Sequence, residues 1–196
     1  MQILPLTGRN GRTRFALVDP EDYEWALSRR WSYSLAKPPQ RFAAARSGTG
    51  YAGSRQHRLH REILLRHQYC LDGLVVDHHN GWGLDNRKIN LRPGSQGQNA
   101  RNTRRQNLHR YGKQWVVQIG QKVVGRFDDR DEAAEAYEIA AREAGHVTNK
   151  MRAELLAPVI QQLEAWVSEG RLIRHIPDAP LIEDRYRLKI GNQIPV

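Results

Sequence analysis

Cysteine is almost absent: Cys70 stands alone among 196 residues. No internal disulfide framework can form, and a zinc site built from CxxC pairs is excluded. Any metal must be held by oxygen or nitrogen ligands. Long apolar runs are also missing. No segment approaches the ~20 apolar residues of a membrane span, and the opening MQILPLTGRN lacks the basic stretch and apolar core of a signal peptide. The expectation is a soluble, cytoplasmic protein with no membrane partner. Acids are in deficit as well, 21 Asp and Glu against 31 Lys and Arg, which leaves a formal charge of +10. That excess favours a polyanionic partner, nucleic acid first. Eight histidines would suit zinc by number, but most stand isolated among arginines, where a solvated or phosphate-facing role is commoner.

With 39% apolar residues the chain can bury a core, and small modules in series are the favoured organisation. Thr13 to Val18 reads as a short strand. Asp19, Pro20, Glu21 and Asp22 then supply an N-cap, a proline at the first helical position and early acids for a helix to about Arg29. Trp31 to Leu35, Arg41 to Arg46 and His57 to Leu59 read as a small antiparallel sheet, with Pro38-Pro39 and Gly48-Thr49-Gly50 as turns. From Leu59 to Leu65 the rhythm becomes helical, until Asp72-Gly73 breaks it.

The central run LVVDHHNGWGLDNRKINLRPGSQGQNARN, residues 74 to 102, has the order strand, loop, strand, helix. Leu74 to His79 is the first strand, Asn80 to Arg87 the loop, Lys88 to Arg92 the second strand, and Ser95 caps a helix carrying Asn99. Hydrolysing a phosphodiester needs a base, a cation to neutralise charge building on phosphate, and a scaffold. Asp77 offers a carboxylate oxygen and Asn99 an amide oxygen, hard ligands that suit magnesium. His78 titrates in the range of a general base. Neighbouring strand residues point to opposite faces, so Asp77 and His78 serve one site only if the strand end is twisted or bulged, or meets its substrate edge-on; His79 is the competing base.

The motifs VDH ending at His78, LDNR (84 to 87), INLR (89 to 92) and QGQNARN (96 to 102), preceded by LHR (59 to 61), resemble the HNH endonucleases of phage and intron homing elements. The resemblance implies a ββα-metal fold in which Asp77 and Asn99 bind the catalytic metal and His78 is the base. Asn90 would hold the loop and orient that base. Asn99 stands where the family name has His, which should favour magnesium, with manganese as substitute, over zinc or nickel. Asn86 and Arg87 are expected to fix the loop, Arg87 being counted among the DNA-contacting cations as well. Arg61 is either a phosphate contact or structural.

A basic run, Arg101, Arg104, Arg105 and Arg110, marks a module boundary and would follow the DNA between modules. Beyond it, Trp115 to Ile119 and Val123 to Phe127 alternate around Gly120-Gln121, as in a hairpin. Asp128 to Gly145 is an amphipathic helix with Ala133, Tyr137, Ala140 and Ala144 on one face. Residues 109 to 146, with GKQW, GRF and EAAEAY, resemble the Apetala-type (ethylene-response-factor) DNA-binding domain. In that family a sheet lies in the major groove, and a two-stranded ribbon fits there. The usual first strand is missing or replaced by Leu108-His109-Arg110-Tyr111, and Val123 stands where an aromatic is expected to face DNA. If Trp115, Val117 and Ile119 face the helix, then Gln114, Val116 and Gln118 face outward with Lys113, Lys122 and Arg126 nearby, amides and cations suited to bases and phosphates.

The expected architecture is α+β. Residues 1–58 form a strand-rich region packing on a nuclease at 59–107, followed by a DNA-binding module at 108–150 and a helical extension at 151–196, whose helix is bent or started near Pro158. That tail is a dimer element, a DNA clamp or packing, and the monomer or homodimer question stays open. The expected reaction is nicking or cleavage of double-stranded DNA in a bacterial or phage-infected cell. Two other readings remain: a DNA-binding regulator with an inactive nuclease fold, and an RNA-directed or structure-specific nuclease.

Overall fold

The computed structural model describes residues 1–7, 14–35, 43–47, 57–101, 108–179 and 182–189. Its architecture is α+β, with small antiparallel sheets and helices. Strand β1 (Gln2–Pro5), which the sequence pattern does not announce, pairs antiparallel with β2 (Phe15–Val18), Ile3 facing Leu17. Every residue of β2 is buried, as expected of a continuous apolar run covered on both sides. Helix α1 (Pro20–Leu27) follows with Pro20 in its first turn. Asp19 does not cap α1 through its side chain; its Oδ2 accepts the Lys88 N–H at 2.8 Å instead.

Strands β3 (Ser32–Leu35), β4 (Ala43–Ser47) and β5 (His57–Arg58) form the expected antiparallel sheet in that order; its proposed turns lie outside the described residues. Helix α2 (Leu59–Arg66) buries Leu59, His60, Ile63 and Leu64, two i, i+4 pairs on one face. Strand β6 (Val75–His78) pairs with β7 (Leu91–Gly94). The strand expected from Lys88 begins later, because Lys88–Asn90 is a 3-10 turn. The amide of Asn90 explains the delay: its Oδ1 accepts the Asn80 N–H and its Nδ2 donates to the Asp85 carbonyl, so the backbone must turn before it can pair. Helix α3 (Gln96–Arg101) starts with a reciprocal cap, in which Ser95 Oγ accepts the Gln98 N–H and Gln98 Oε1 accepts the Ser95 N–H.

A second three-stranded sheet contains β8 (Leu108–Tyr111), β9 (Gln114–Ile119) and β10 (Lys122–Phe127) in the order β10-β9-β8. The LHRY segment is thus its first strand. Both hairpins turn over two residues that begin with a glycine at positive φ, Gly112 and Gly120, a conformation that costs other residues. Helix α4 (Arg130–Glu143) is capped by Asp129, whose side chain accepts from the backbone of Asp131 and Glu132. Its buried face is Ala133, Tyr137 and Ala141, strict i, i+4 spacing. The face drawn through Ala140 and Ala144 is therefore corrected by one position. These residues and Val117 make a core of their own, with Leu108, Trp115, Ile119 and Phe127 packed around it.

Helix α5 (Asn149–Ser168) begins at the Thr148 cap and runs through Pro158, which neither starts nor ends it. Val159, Leu163 and Trp166 form its apolar stripe and enter the same core as β1, β2, α2, Trp82 and Leu84. Leu172, Ile182 and Tyr186 follow them, from β11 (Leu172–Arg174), α6 (Ile182–Arg185) and β12 (Tyr186–Leu188). Residues beyond 151 are thus core material for the N-terminal half, each fully buried leucine among them contributing about 1.5–3 kcal/mol. Among the described residues no helix is long and apolar enough to cross a membrane.

Candidate functional site

The loop between β6 and β7 carries an unusual load of buried polar side chains: Asn80, Asp85, Asn86 and Asn90. Such groups are tolerated only when hydrogen-bonded, and their partners tie the loop together. Asn80 Nδ2 donates to Asp85 Oδ2 at 2.7 Å, and Asn80 Oδ1 accepts the Trp82 N–H. Arg87 meets both Asp85 oxygens, Nε at 2.7 Å and Nη2 at 2.8 Å, a two-pronged pair that raises the Arg87 pKa. The loop is anchored to β2 by the Leu17 N–H to the Leu84 carbonyl and the Asn86 N–H to the Leu17 carbonyl. The N-terminal strands therefore hold the loop that follows His78.

His78 ends β6. Its Nε2 lies 3.3 Å from Asn86 Oδ1, and its ring meets His60 edge to face at 5.0 Å. Burial pushes its pKa down, against the hydrogen bond to Asn86 and the charges of Asp85 and Asp77. The contact with Asn86 Oδ1 fixes the orientation of the ring through Nε2. Asn90, expected to hold the loop and orient the base, closes the loop through its own amide, while Asn86 contacts the imidazole.

Asp77 faces Arg92 across the strand pair and accepts from its Nη2 at 3.2 Å. His79 lies in the field of the same groups: burial and then Arg92 lower its pKa, Asp77 raises it and Arg152 lowers it. Asn99 sits exposed on α3, which packs against β6. Asp77, His78 and Asn99 thus lie on two adjoining elements, and Asn90 on the turn that joins β6 to β7.

Arg61 donates to the carbonyls of Leu71 and Leu74 at 3.1 and 3.0 Å, which assigns it a structural task at the entry to β6. Arg87 is likewise occupied within the loop. Arg101 ends α3, and Arg104 and Arg105 lie outside the described residues. On the second sheet Trp115 and Ile119 pack with Val117 toward α4, as expected. Cross-strand pairs then put His109 and Arg126 beside Val116, Tyr111 beside Gln114 and Val123 beside Gln118 on the opposite face. Tyr111 is 68% exposed with the Arg126 guanidinium 5.5 Å from its ring. This aromatic lies on β8, two strands away from Val123 on β10. Arg110, Lys113 and Lys122 are exposed, Arg110 standing 5.9 Å from the Trp115 ring. Gln114 donates to Asp128 and Gln118 to the Gly120 carbonyl, so both amides already have local partners.

Among the described residues, one group of three His, Cys, Asp or Glu side chains converges as metal ligands would: Glu21, Asp22 and His67. Asp22 is fully buried there, accepting from His67 Nε2 at 2.9 Å and Arg66 Nε at 3.2 Å, which accounts for the cluster as an ion pair joining α1 to α2. No family model, no curated protein and no solved structure matches the chain.

Proposed function

We propose that the chain is a metal-dependent DNA endonuclease of the HNH type, with β6, β7 and α3 as its ββα-metal unit and the 108–143 sheet and helix as its DNA reader. The observation that carries this reading is His78: an imidazole at the end of β6, held through Nε2 by Asn86 of the loop that joins β6 to β7, with burial lowering its pKa. Such a group can take the proton of an attacking water. The water oxygen bonds to phosphorus, the bond to one deoxyribose oxygen breaks, and that oxygen leaves with a proton from solvent. The donor set fits magnesium, since Asp77 and Asn99 offer hard oxygens and leave most of an octahedron open. When bound there, the ion would supply charge neutralisation at the phosphate. Arg92 already demonstrates that Asp77 attracts a cation; with 41% of its side chain exposed, that pair is weak enough to yield.

The same contact favours a second reading. An Arg92 guanidinium that stays on Asp77 in place of a metal would leave a DNA-binding regulator with an inactive nuclease fold. Supercoiled plasmid carrying the native flanking DNA separates the two. Magnesium-dependent relaxation, abolished by chelator and by Asn99→Ala and lowered ~100-fold by His78→Ala with binding intact, is the expected result. Binding without relaxation selects the regulator. Full activity in His78→Ala with loss in His79→Ala moves the base by one residue.

A further inference from the structure

Helix α5 belongs to the tail, yet its first turn sends Arg152 to the loop behind His78. The side chain is 6% exposed. Its Nη1 donates to Asn149 Oδ1 at 3.0 Å, and its stem and Nε lie against Gly81: a Cβ at Gly81 would come within 3.1 Å of Nε and 3.2 Å of Cδ. Gly81 has φ +71°, so two independent constraints disfavour a side chain there, the backbone conformation and the Arg152 side chain packed behind it. The Arg152 charge reaches His79 on one side and Tyr137 of α4 on the other. Arg152 therefore stands where the β6–β7 loop, α5 and the helix of the second sheet meet. The connection from α4 to α5 spans only residues 144–148, with Val147 and Thr148 buried, and Arg142 of α4 pairs with Glu154 of α5 at 3.3 Å. The two cores are thus joined at the base of the helix that carries Arg152.

We propose that Arg152 is a positioning residue for the cleavage centre, bracing the turn at Asn80 and Gly81 so that the loop carrying Asn86 holds His78, and linking that turn to the DNA-reading module through α5. This inference rests on the nuclease reading for its catalytic consequence, while the bracing itself does not. A buried guanidinium is a poor direct ligand for substrate phosphate, since the groups around it exclude the DNA. It acts by fixing backbone, and misplacing a reacting group by about 1 Å can cost on the order of 100-fold in rate.

The test uses the full chain and the variants Arg152→Met, which keeps the stem without the charge, and Arg152→Lys, which keeps the charge without the planar fork. Two quantities are measured. The first is amide hydrogen exchange at Gly81 and Trp82, whose N–H groups bond the His78 carbonyl at 2.8 Å and Asn80 Oδ1 at 2.9 Å. The second is magnesium-dependent plasmid cleavage, resolved into kcat and KM. The expected result for Arg152→Met is exchange at these two amides at least about 10-fold faster with other core amides unchanged, and kcat lower by about 10- to 100-fold with KM and DNA affinity unchanged. Arg152→Lys should recover part of kcat. Unchanged exchange at both amides overturns the bracing. A raised KM with kcat intact also overturns it, because it would mean that Arg152 contacts DNA. If the unaltered protein binds DNA but never cleaves, the nuclease reading fails, and the exchange arm alone then decides whether Arg152 braces the turn.

Discussion

Removing the Asp85 carboxylate should unlock the loop that holds His78. Asp85 is completely buried and accepts four hydrogen bonds: two from the Arg87 guanidinium, one from Asn80 Nδ2 and a long one from the Arg87 N–H. In Asp85→Ala the Arg87 charge and the Asn80 amide lose their partner together. Breaking a buried ion pair by deleting one member costs about 3–5 kcal/mol. The Arg87 side chain keeps 20% exposure and recovers some hydration, so the lower end, about 3 kcal/mol, is expected, a large part of a typical 5–15 kcal/mol total. Asp85→Asn should not rescue, because its NH2 group would confront either Arg87 or Asn80, donor against donor. Urea unfolding followed by tryptophan fluorescence, with Trp82 in the same loop, measures the loss as a fall in midpoint at unchanged slope. The double variant with Arg87→Ala should lose less than the sum of the two single losses, since the two side chains serve each other. A loss under about 1 kcal/mol for Asp85→Ala, or strict additivity in the double variant, refutes the ion-pair account and returns Arg87 to the DNA-contacting cations.

Two further outcomes bear on the second sheet. Lys122→Ala with Arg126→Ala should weaken DNA binding and flatten its dependence on salt by about 0.9 in log–log slope for each phosphate no longer neutralised; an unchanged slope in filter binding or anisotropy removes this face from the interface. Asp129 caps α4 with its pKa lowered by the backbone N–H groups of Glu132 and Asp131. A carboxyl whose folded pKa lies below its unfolded one stabilises above the unfolded value and loses that contribution as pH falls through the folded one. Asp129→Ala should therefore melt earlier than the unaltered protein near neutral pH, with the gap closing as pH falls through and below the ordinary carboxylate range; a gap by circular dichroism that does not change with pH contradicts the cap as its source.

Local pattern foretold much of the fold. The Pro20 start of α1, the Ser95 cap of α3, and the Trp115, Val117, Ile119 alternation each rest on neighbours a few residues apart, and each element stands where that chemistry puts it, although the Asp19 side chain does not make the cap expected of it. Strand β1 was illegible because Gln2-Ile3-Leu4-Pro5 is too short for alternation to register, and only its pairing with β2 makes it a strand. The one-position error on α4 has a similar origin: alanines fill positions 133, 134, 136, 140, 141 and 144, so composition alone leaves the buried stripe undetermined. The role of the tail stayed open for a different reason. Its stripe of Val159, Leu163 and Trp166 announces a helix with one apolar face but is silent on what covers it, and the cover is the N-terminal core.

At the candidate site the limit is the same, contact over long sequence distance. Asn86, Arg87 and Asn90 could be read as loop-fixing residues, while Asn80 and Asp85, which bond each other, Asp85 also meeting Arg87, could be read only as part of a polar loop. The bonds from Leu17 to Leu84 and Asn86, and from Asp19 to Lys88, could not be read. They matter to the proposed chemistry, because a loop tied only to itself could move as a body and carry Asn86 away from His78. Anchored on a fully buried strand, it cannot shift without breaking β2 out of the core. Period-two alternation along β6 also separates the sides on which Asp77 and His78 lie, and the contacts follow: Asp77 meets Arg92 while His78 meets Asn86 and His60. If the pair acts on one phosphate, the substrate must reach both sides of the strand at its end, where the His79 N–H makes the last bond across to the Asn90 carbonyl at 2.8 Å. A base on the loop side and a hard oxygen on the other would then approach the phosphorus from different directions, the separation that displacement by water requires of the group that activates the nucleophile and the group that holds the phosphate.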